Sequence, residues 1–409
     1  MERIILTTGG TGGHIFPALA VAEEIRRRYP EAMLLFMGGK YGQEADLAVA
    51  AGLDFIGLPV RGVMGRGLRG VGAALAMGRG VLTALGVMRK VQPQLVVGFG
   101  GYAAFAGVLA ARMAGIPTAV HEQNAFPGMS NRLLGKIVKR VFLSMPDASG
   151  AFDPARATLV GNPVRAGIVA LYEHNGAHFA ASGAAKQGRS YYGGVDGPSP
   201  FDVADRQEAA ARARQDGDEA ESAGAPRLPR LLVMGGSLGA RAVNDGMIAA
   251  IDALQEQQIE IRHQTGQADY ERVRAAYRQD KARHVRVEPF ITDMPKAYAW
   301  ADLIFCRAGA STLAEITAAG LPAVLAPFPQ AAQDHQRHNA RWLESEGAAL
   351  VLEQSEFLHS PERLTSTLMG LLRDPERLRS MAGRSLSLAR PYAARELVDG
   401  LEALLEKKR

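Results

Sequence analysis

Three features are scarce in this chain. It has one cysteine, Cys306. That excludes a disulfide framework and a multi-cysteine zinc site, and it fits a reducing cytosol. Aromatic residues are 6% of the total, and they do not interleave with clustered Lys and Arg, which argues against a base-stacking nucleic-acid surface. Long apolar runs are missing as well. The uncharged stretch from Leu95 to Ala111, "LVVGFGGYAAFAGVLAA", is slightly short for a bilayer span and carries Gly-Phe-Gly-Gly inside it. It reads as strand, loop and helix. No signal peptide is expected, because only a few apolar residues separate Met1-Glu2-Arg3 from the first glycines.

What is present describes a globular protein. The chain is 47% hydrophobic and 22% charged, and its 409 residues suit two domains. A net charge of +5 is compatible with nucleic acid, an anionic membrane or an anionic substrate.

Strand-like and helix-like pieces alternate through the N-terminal half. "RIILTT", "MLLFMG", "LVVGFGG" and "TAVHEQN" read as strands, and "PALAVAEEIRRR" reads as an amphipathic helix with Pro17 at its start. The pattern restarts at Arg230 with "RLLVMGG", "IEIRHQTG", "VRVEPF", "DLIFCRAG" and "AVLAPF". Such alternation implies two doubly wound parallel-sheet domains, whose strand-end loops hold ligands. From about Glu173 to Arg227 the chain is rich in Gly, Ala, Ser and charge and poor in Leu, Ile and Val. It cannot bury enough apolar surface to offset its ordering entropy, so it reads as a disordered insertion. A short helix is expected within it at "DRQEAAARARQ". The division is residues 1–166, a linker with the insertion at 167–229, and residues 230–409, with the last helix packing back on the first domain.

Four stretches carry the chemistry. "GGTGGH", Gly9 to His14, is a glycine turn between strand and helix, suited to holding a phosphate on backbone N–H groups. It is neither the dinucleotide fingerprint nor a Gly-Lys-Ser/Thr phosphate loop. His14 is its one group that titrates near neutral pH. "GGSLGA", Gly235 to Ala240, occupies the equivalent place in the second half. There Ser237 either contacts a phosphate or caps the helix. In "CRAGASTLAE", Cys306 to Glu315, Glu315 stands at capping-box spacing from Thr312 and is equally suited to a ribose diol. In "DHQRHNA", Asp334 to Ala340, His335 and His338 lack a third ligand for zinc, while Gln336 and Asn339 suit sugar hydroxyls. "RGVMGRGLRG" and the helix after it offer Leu75, Met77, Leu82 and Leu85 among basic residues, either as core packing or as contact with an anionic bilayer.

"GGTGGHIFPALAVA", "GFGGYAAFA", "HEQNAFPGMSNRLL", "GNPVR", "GGSLGAR", "AWADLIFCRAGASTLAEI" and "DHQRHNA" occur in this order. Together they resemble the MurG family, the N-acetylglucosaminyltransferases of peptidoglycan synthesis in glycosyltransferase family 28. The resemblance covers nearly the whole chain except the insertion. It implies a GT-B fold, two Rossmann-like domains facing a central cleft. It implies inverting, metal-independent transfer of N-acetylglucosamine from UDP to the 4-hydroxyl of the muramoyl sugar on undecaprenyl-diphosphate-linked pentapeptide, without a cofactor. It places the enzyme peripherally on the cytoplasmic face of the inner membrane, with the basic and apolar patch around Arg66–Lys90 as the contact and no nucleic-acid partner.

By motif, the resemblance puts Thr11, Gly12 and Gly13 against donor or acceptor, and Asn124 and Arg165 in the nucleotide-sugar site. Ser237 then lies at the diphosphate and Ile291 at the uracil pocket. Ala310, Ser311, Thr312, Leu313, Ala314 and Glu315 run along the nucleoside, with Glu315 on the ribose, and Gln336 reaches the sugar. His14 is the candidate general base. The chain departs from the family at Leu238, where a glutamine is usual, at Ala308, where serine is common, and in the insertion. Other readings are a related transferase with another lipid acceptor, a non-catalytic nucleotide-sugar binding module, and a basic nucleic-acid-binding protein.

Overall fold

The computed structural model describes residues 1–10, 12–42, 44–60, 69–181, 227–236, 239–277 and 284–406. Seven strands form the first sheet: Arg3–Thr7 (β1), Met33–Gly39 (β2), Asp54–Leu58 (β3), Leu95–Gly98 (β4), Thr118–Glu122 (β5), Arg140–Leu143 (β6) and Ala157–Leu159 (β7). They run in the order β3-β2-β1-β4-β5-β6-β7, and every pair is parallel. The interior strand β1 sets Leu6 against Phe36 on one side and Val97 on the other. Ile4, Ile5 and Leu6 are buried because helices cover both faces of the sheet. The run that most resembled a membrane span is strand β4 followed by the helix Gly101–Met113. Among the described residues no helix is long and apolar enough to cross a membrane.

The second sheet holds six parallel strands: Arg230–Met234 (β8), Glu260–Gln264 (β9), Val285–Glu288 (β10), Leu303–Cys306 (β11), Ala323–Leu325 (β12) and Ala349–Val351 (β13). Their order is β10-β9-β8-β11-β12-β13, so β8 occupies the third place, as β1 does in the first sheet. In both sheets the strand order reverses beside the first strand. That switch point opens a crevice at the carboxyl ends of the strands. The two crevices face each other as the two halves of a GT-B fold.

Two stretches of chain tie the halves together. The helix Ala166–Ala181 lies where the sequence suggests linker. Its Ile168 is buried with Leu232 and Ile316 of the second domain, and Asn175 Nδ2 donates to Ala319 O at 2.7 Å. The apolar residues Ile168, Val169, Leu171 and Tyr172 are what order it. The last helix, Ala393–Glu406, crosses back to the first domain. Leu397, Val398 and Leu401 join Ile4, Leu6 and Ile15 in one core, and Arg28 Nη1 donates to Glu402 Oε1 at 3.1 Å. The expected short helix at "DRQEAAARARQ" lies outside the described residues.

Candidate active site

The first loop meets the loop after β4. Gly9 N donates to Gly100 O at 3.1 Å. Gly101 has φ +82°, and a Cβ there would stand 2.3 Å from Gly9 O, so only glycine permits the approach. His14 lies in the first turn of the helix Gly12–Arg28. Its ring rests over Gly100, where a Cβ would come within 3.0 Å of Cε1. Its Nδ1 is 2.9 Å from Gln123 Oε1.

That helix begins earlier than the sequence suggests, so Pro17 falls inside it rather than at its start. Proline has no N–H to give to the carbonyl four residues back, which is Gly13 O. The vacant acceptor is filled from the other domain: Ser311 Oγ donates to Gly13 O at 3.1 Å. A residue that weakens the helix thus supplies a contact across the cleft.

A cavity of about 400 Å³ opens beside His14. Its polar wall includes Glu122, Asn124 and Asn131, its apolar wall Met77, Phe105, Met129 and Leu133, and the second domain adds Gln333 and His335. Glu122 organises the wall. It accepts from Asn124 N (3.0 Å) and Nδ2 (3.1 Å), Gly128 N (3.1 Å) and Asn131 Nδ2 (2.9 Å). At the cavity edge Gln333 and Asp334 have φ of 54° and 55°, two adjacent non-glycine residues in the left-handed region. Such strain costs about 1–3 kcal/mol per residue and collects at ligand-binding sites.

Across the cleft, Arg165 Nε and Nη2 donate to Glu315 Oε1 at 3.0 and 2.7 Å, and Tyr298 OH donates to Oε2 at 2.9 Å. The helix Ala310–Ala319 has Gly309 as its N-cap. Glu315 is therefore in the second turn, and the capping-box alternative for it fails. Asn339 is wholly buried. Its Oδ1 accepts from Ala125 N at 3.0 Å, while Nδ2 donates to Asn124 Oδ1 at 3.2 Å and Ala308 O at 3.3 Å. The sequence reading of Asn339 as a sugar contact is thereby corrected: no part of it is left for a ligand. His338 stacks on Phe126 at 5.2 Å. Among the described residues no three His, Cys, Asp or Glu side chains are grouped to hold a metal ion.

Residues 4–143 match the glycosyltransferase family 28 N-terminal domain, and residues 230–397 match the family's C-terminal domain. A protein of Nitratidesulfovibrio vulgaris named UDP-N-acetylglucosamine–N-acetylmuramyl-(pentapeptide) pyrophosphoryl-undecaprenol N-acetylglucosamine transferase is 53% identical over 406 residues, 99% of this chain and 98% of that one. The chain belongs to glycosyltransferase family 28. A second relative of the same name, from Solidesulfovibrio magneticus, is 43% identical over 100% of this chain and 99% of its own length. Among solved structures, Acinetobacter baumannii MurG superposes with a TM-score of 0.70 at 31% identity, covering 98% of this chain and 100% of that one. A Neisseria meningitidis UDP-GlcNAc 2-epimerase shares only the fold, with a TM-score of 0.61 at 12% identity and coverage of 98% of this chain and 100% of that one.

Within this family-28 frame, the candidate residues fall into three groups. His14, Gly12, Gly13, Asn124, Arg165, Ser311 and Glu315 come together at the domain boundary. Ile291, Ala310 and Leu313 are buried in the second domain's core, so a ligand would meet their backbone rather than their side chains. Thr312 and Ala314 are half-buried on the same helix, and Gln336 Oε1 accepts from Phe328 N at 3.0 Å, holding the loop before it. Thr11 and Ser237 lie outside the described residues, as does Leu238. Sequence reasoning passed over Gln123, Glu122, Tyr298 and Arg307, although all four lie in or beside the family motifs. Arg307 is buried against Ala326 O, Pro327 O and Gln354 Oε1 without a carboxylate, and burial pushes it down to about 10. Burial pushes the Cys306 thiol up to about 12, which leaves no thiolate nucleophile there.

Proposed function

We infer that this chain transfers N-acetylglucosamine from UDP-N-acetylglucosamine to undecaprenyl-diphosphate-linked N-acetylmuramoyl-pentapeptide, the glycosyl transfer that completes the lipid-linked peptidoglycan precursor. The observation that carries this reading is the 53% identity to the Nitratidesulfovibrio vulgaris transferase through both domains.

The mechanism we propose is a single inverting displacement. The muramoyl 4-hydroxyl enters the cavity beside His14 and attacks the anomeric carbon. The bond from that carbon to the UDP oxygen breaks, and the hydroxyl proton passes to His14. The departing diphosphate is met by Arg165 and by backbone N–H groups at the start of the helix Ala310–Ala319, a preorganised positive environment that needs no metal ion. Gly12 and Gly13 contact donor or acceptor in the cleft. Glu315 accepts the ribose hydroxyls, Asn124 and Gln336 the sugar, and the backbone at Ile291 the uracil. The placing of Arg165 on Glu315 favours this grouping, since a ribose on Glu315 competes with the guanidinium and frees it for the diphosphate.

We also propose that the enzyme docks on the cytoplasmic face of the inner membrane through the first domain. Leu75 and Leu82 are 67% and 69% exposed on the helix Arg69–Val91. Met113, Met129, Leu133 and Ile137 are exposed on the neighbouring first-domain helices and the turn that follows them. Arg79, Arg89, Lys90 and Lys136 stand among them. Met129 and Leu133 also line the cavity, so a lipid tail leaves it along this surface. Met77 and Leu85 pack inward instead, and residues 61–68, which include Arg66, are not described. No nucleic-acid partner is proposed.

UDP release measured with and without the lipid-linked muramoyl-pentapeptide tests the function. Release that depends on this acceptor supports it. Release with a different lipid acceptor, or none with either, contradicts it.

A further inference from the structure

The buried side of His14 fixes more than its position. Gln123 Nε2 is surrounded by Phe99 O at 3.0 Å, His121 Nδ1 at 3.0 Å and His121 O at 3.2 Å. An oxygen at that place would face only lone pairs, so the nitrogen belongs there and Oε1 faces His14. An amide oxygen accepts and cannot donate. His14 Nδ1, 2.9 Å away, therefore carries the hydrogen.

The far end of the chain of bonds agrees. His121 Nε2 is 3.0 Å from Gly161 O, which only accepts, so the hydrogen of His121 is on Nε2 and the lone pair on Nδ1 meets Gln123. Burial holds His121 down to about 4, and the neighbouring His14 adds to this. It stays neutral near pH 7, and its Nδ1 stays an acceptor.

We propose that Gln123 is a positioning residue that locks His14 in the Nδ1–H tautomer, leaving Nε2 as the lone pair offered to the acceptor hydroxyl. Free imidazole side chains favour the opposite tautomer, with the hydrogen on Nε2. Without Gln123, His14 drifts to that form, and its outward nitrogen can no longer take a proton. The inference rests on His14 being the base, and the two are separable by experiment.

The test is ¹⁵N NMR of histidine-labelled full-length protein, with steady-state kinetics. In the unaltered protein His14 should show a protonated Nδ1 and a bare Nε2. Gln123→Met, which removes the acceptor at similar length, should move the hydrogen to Nε2 and lower kcat by about 10²-fold, with the KM for UDP-N-acetylglucosamine near its original value. Gln123→Glu, neutral with its carboxyl hydrogen in the place of Nε2 and its other oxygen towards His14, should restore the Nδ1–H signature. An Nε2–H signature in the unaltered protein overturns the proposal whether or not either variant folds. So does an unchanged tautomer in Gln123→Met. An Nδ1–H signature together with full turnover in His14→Ala upholds the hydrogen-bond assignment and overturns the base reading, and with it any part for Gln123 in turnover.

Discussion

Arg165 and Glu315 are separated by 150 residues in the chain, yet Arg165 Nη2 meets Glu315 Oε1 at 2.7 Å across the domain boundary. Tyr298, fully buried beneath, gives its hydroxyl to the other carboxylate oxygen. Burial and then the adjacent carboxylate raise that phenol well above its usual range, so it acts only as a donor here. Glu315→Ala should raise the KM for UDP-N-acetylglucosamine by tenfold or more, on the order expected for a lost charged hydrogen bond. Stripping Tyr298 of its partner should also cost about 1–3 kcal/mol of stability. Kinetics and thermal unfolding of the same variant check both effects.

Asn339 allows a purely structural prediction. It satisfies Ala125 N, Asn124 Oδ1 and Ala308 O from one buried amide. Asn339→Ala leaves those groups without it, at a cost of about 2–3 kcal/mol. Urea unfolding should register the loss, and an unaffected midpoint would mean that water replaces the amide.

Acid should destabilise the fold. His121 and His263 are fully buried, and burial is the main cause that lowers them from 6.5, to about 4 and about 3. His263 is held by Tyr277 OH at 2.6 Å and Asn244 Oδ1 at 3.0 Å. Below pH 6.5 the unfolded chain binds more protons than the folded one. The stability these residues contribute is therefore full above pH 6.5 and is lost as pH falls towards 4. Between pH 7.5 and 5 the pair should cost roughly 4 kcal/mol. Denaturant melts at the two pH values measure it; equal stabilities would mean that both imidazoles are already charged in the fold.

The membrane reading predicts a separation of binding from folding. Leu75→Glu with Leu82→Glu replaces two exposed side chains, so the melting temperature should barely move. Co-sedimentation with anionic phospholipid vesicles should fall several-fold, since two apolar contacts are lost and two charges repel the surface. Undiminished sedimentation would place the contact elsewhere.

Much of the fold was legible because buried parallel strands are continuous apolar runs, as in β1, β4, β8 and β11. β3, β6, β7 and β13 were not named from the sequence; β7 and β13 are each three residues long and held by their neighbours in the sheet rather than by their own pattern. The start of the helix Ala166–Ala181 was obscured by the low-complexity composition that follows it. In the site, glycine spacing and one titratable side chain pointed to His14. Asn339 misled, because an amide on a polar helix looks the same whether it faces a sugar or fastens two domains. Pro17 misled for a related reason: proline usually opens a helix, and the acceptor it leaves unfilled is met only by Ser311, 298 residues away. Gln123 was invisible, because a tautomer is set by what lies at both ends of an amide.

The most direct test of the whole account is single-turnover transfer by His14→Ala, with UDP-N-acetylglucosamine binding measured in the same preparation. Transfer should fall by about 10²–10⁴ while donor binding is retained. Transfer at close to the original rate would contradict the assignment of His14 as the base.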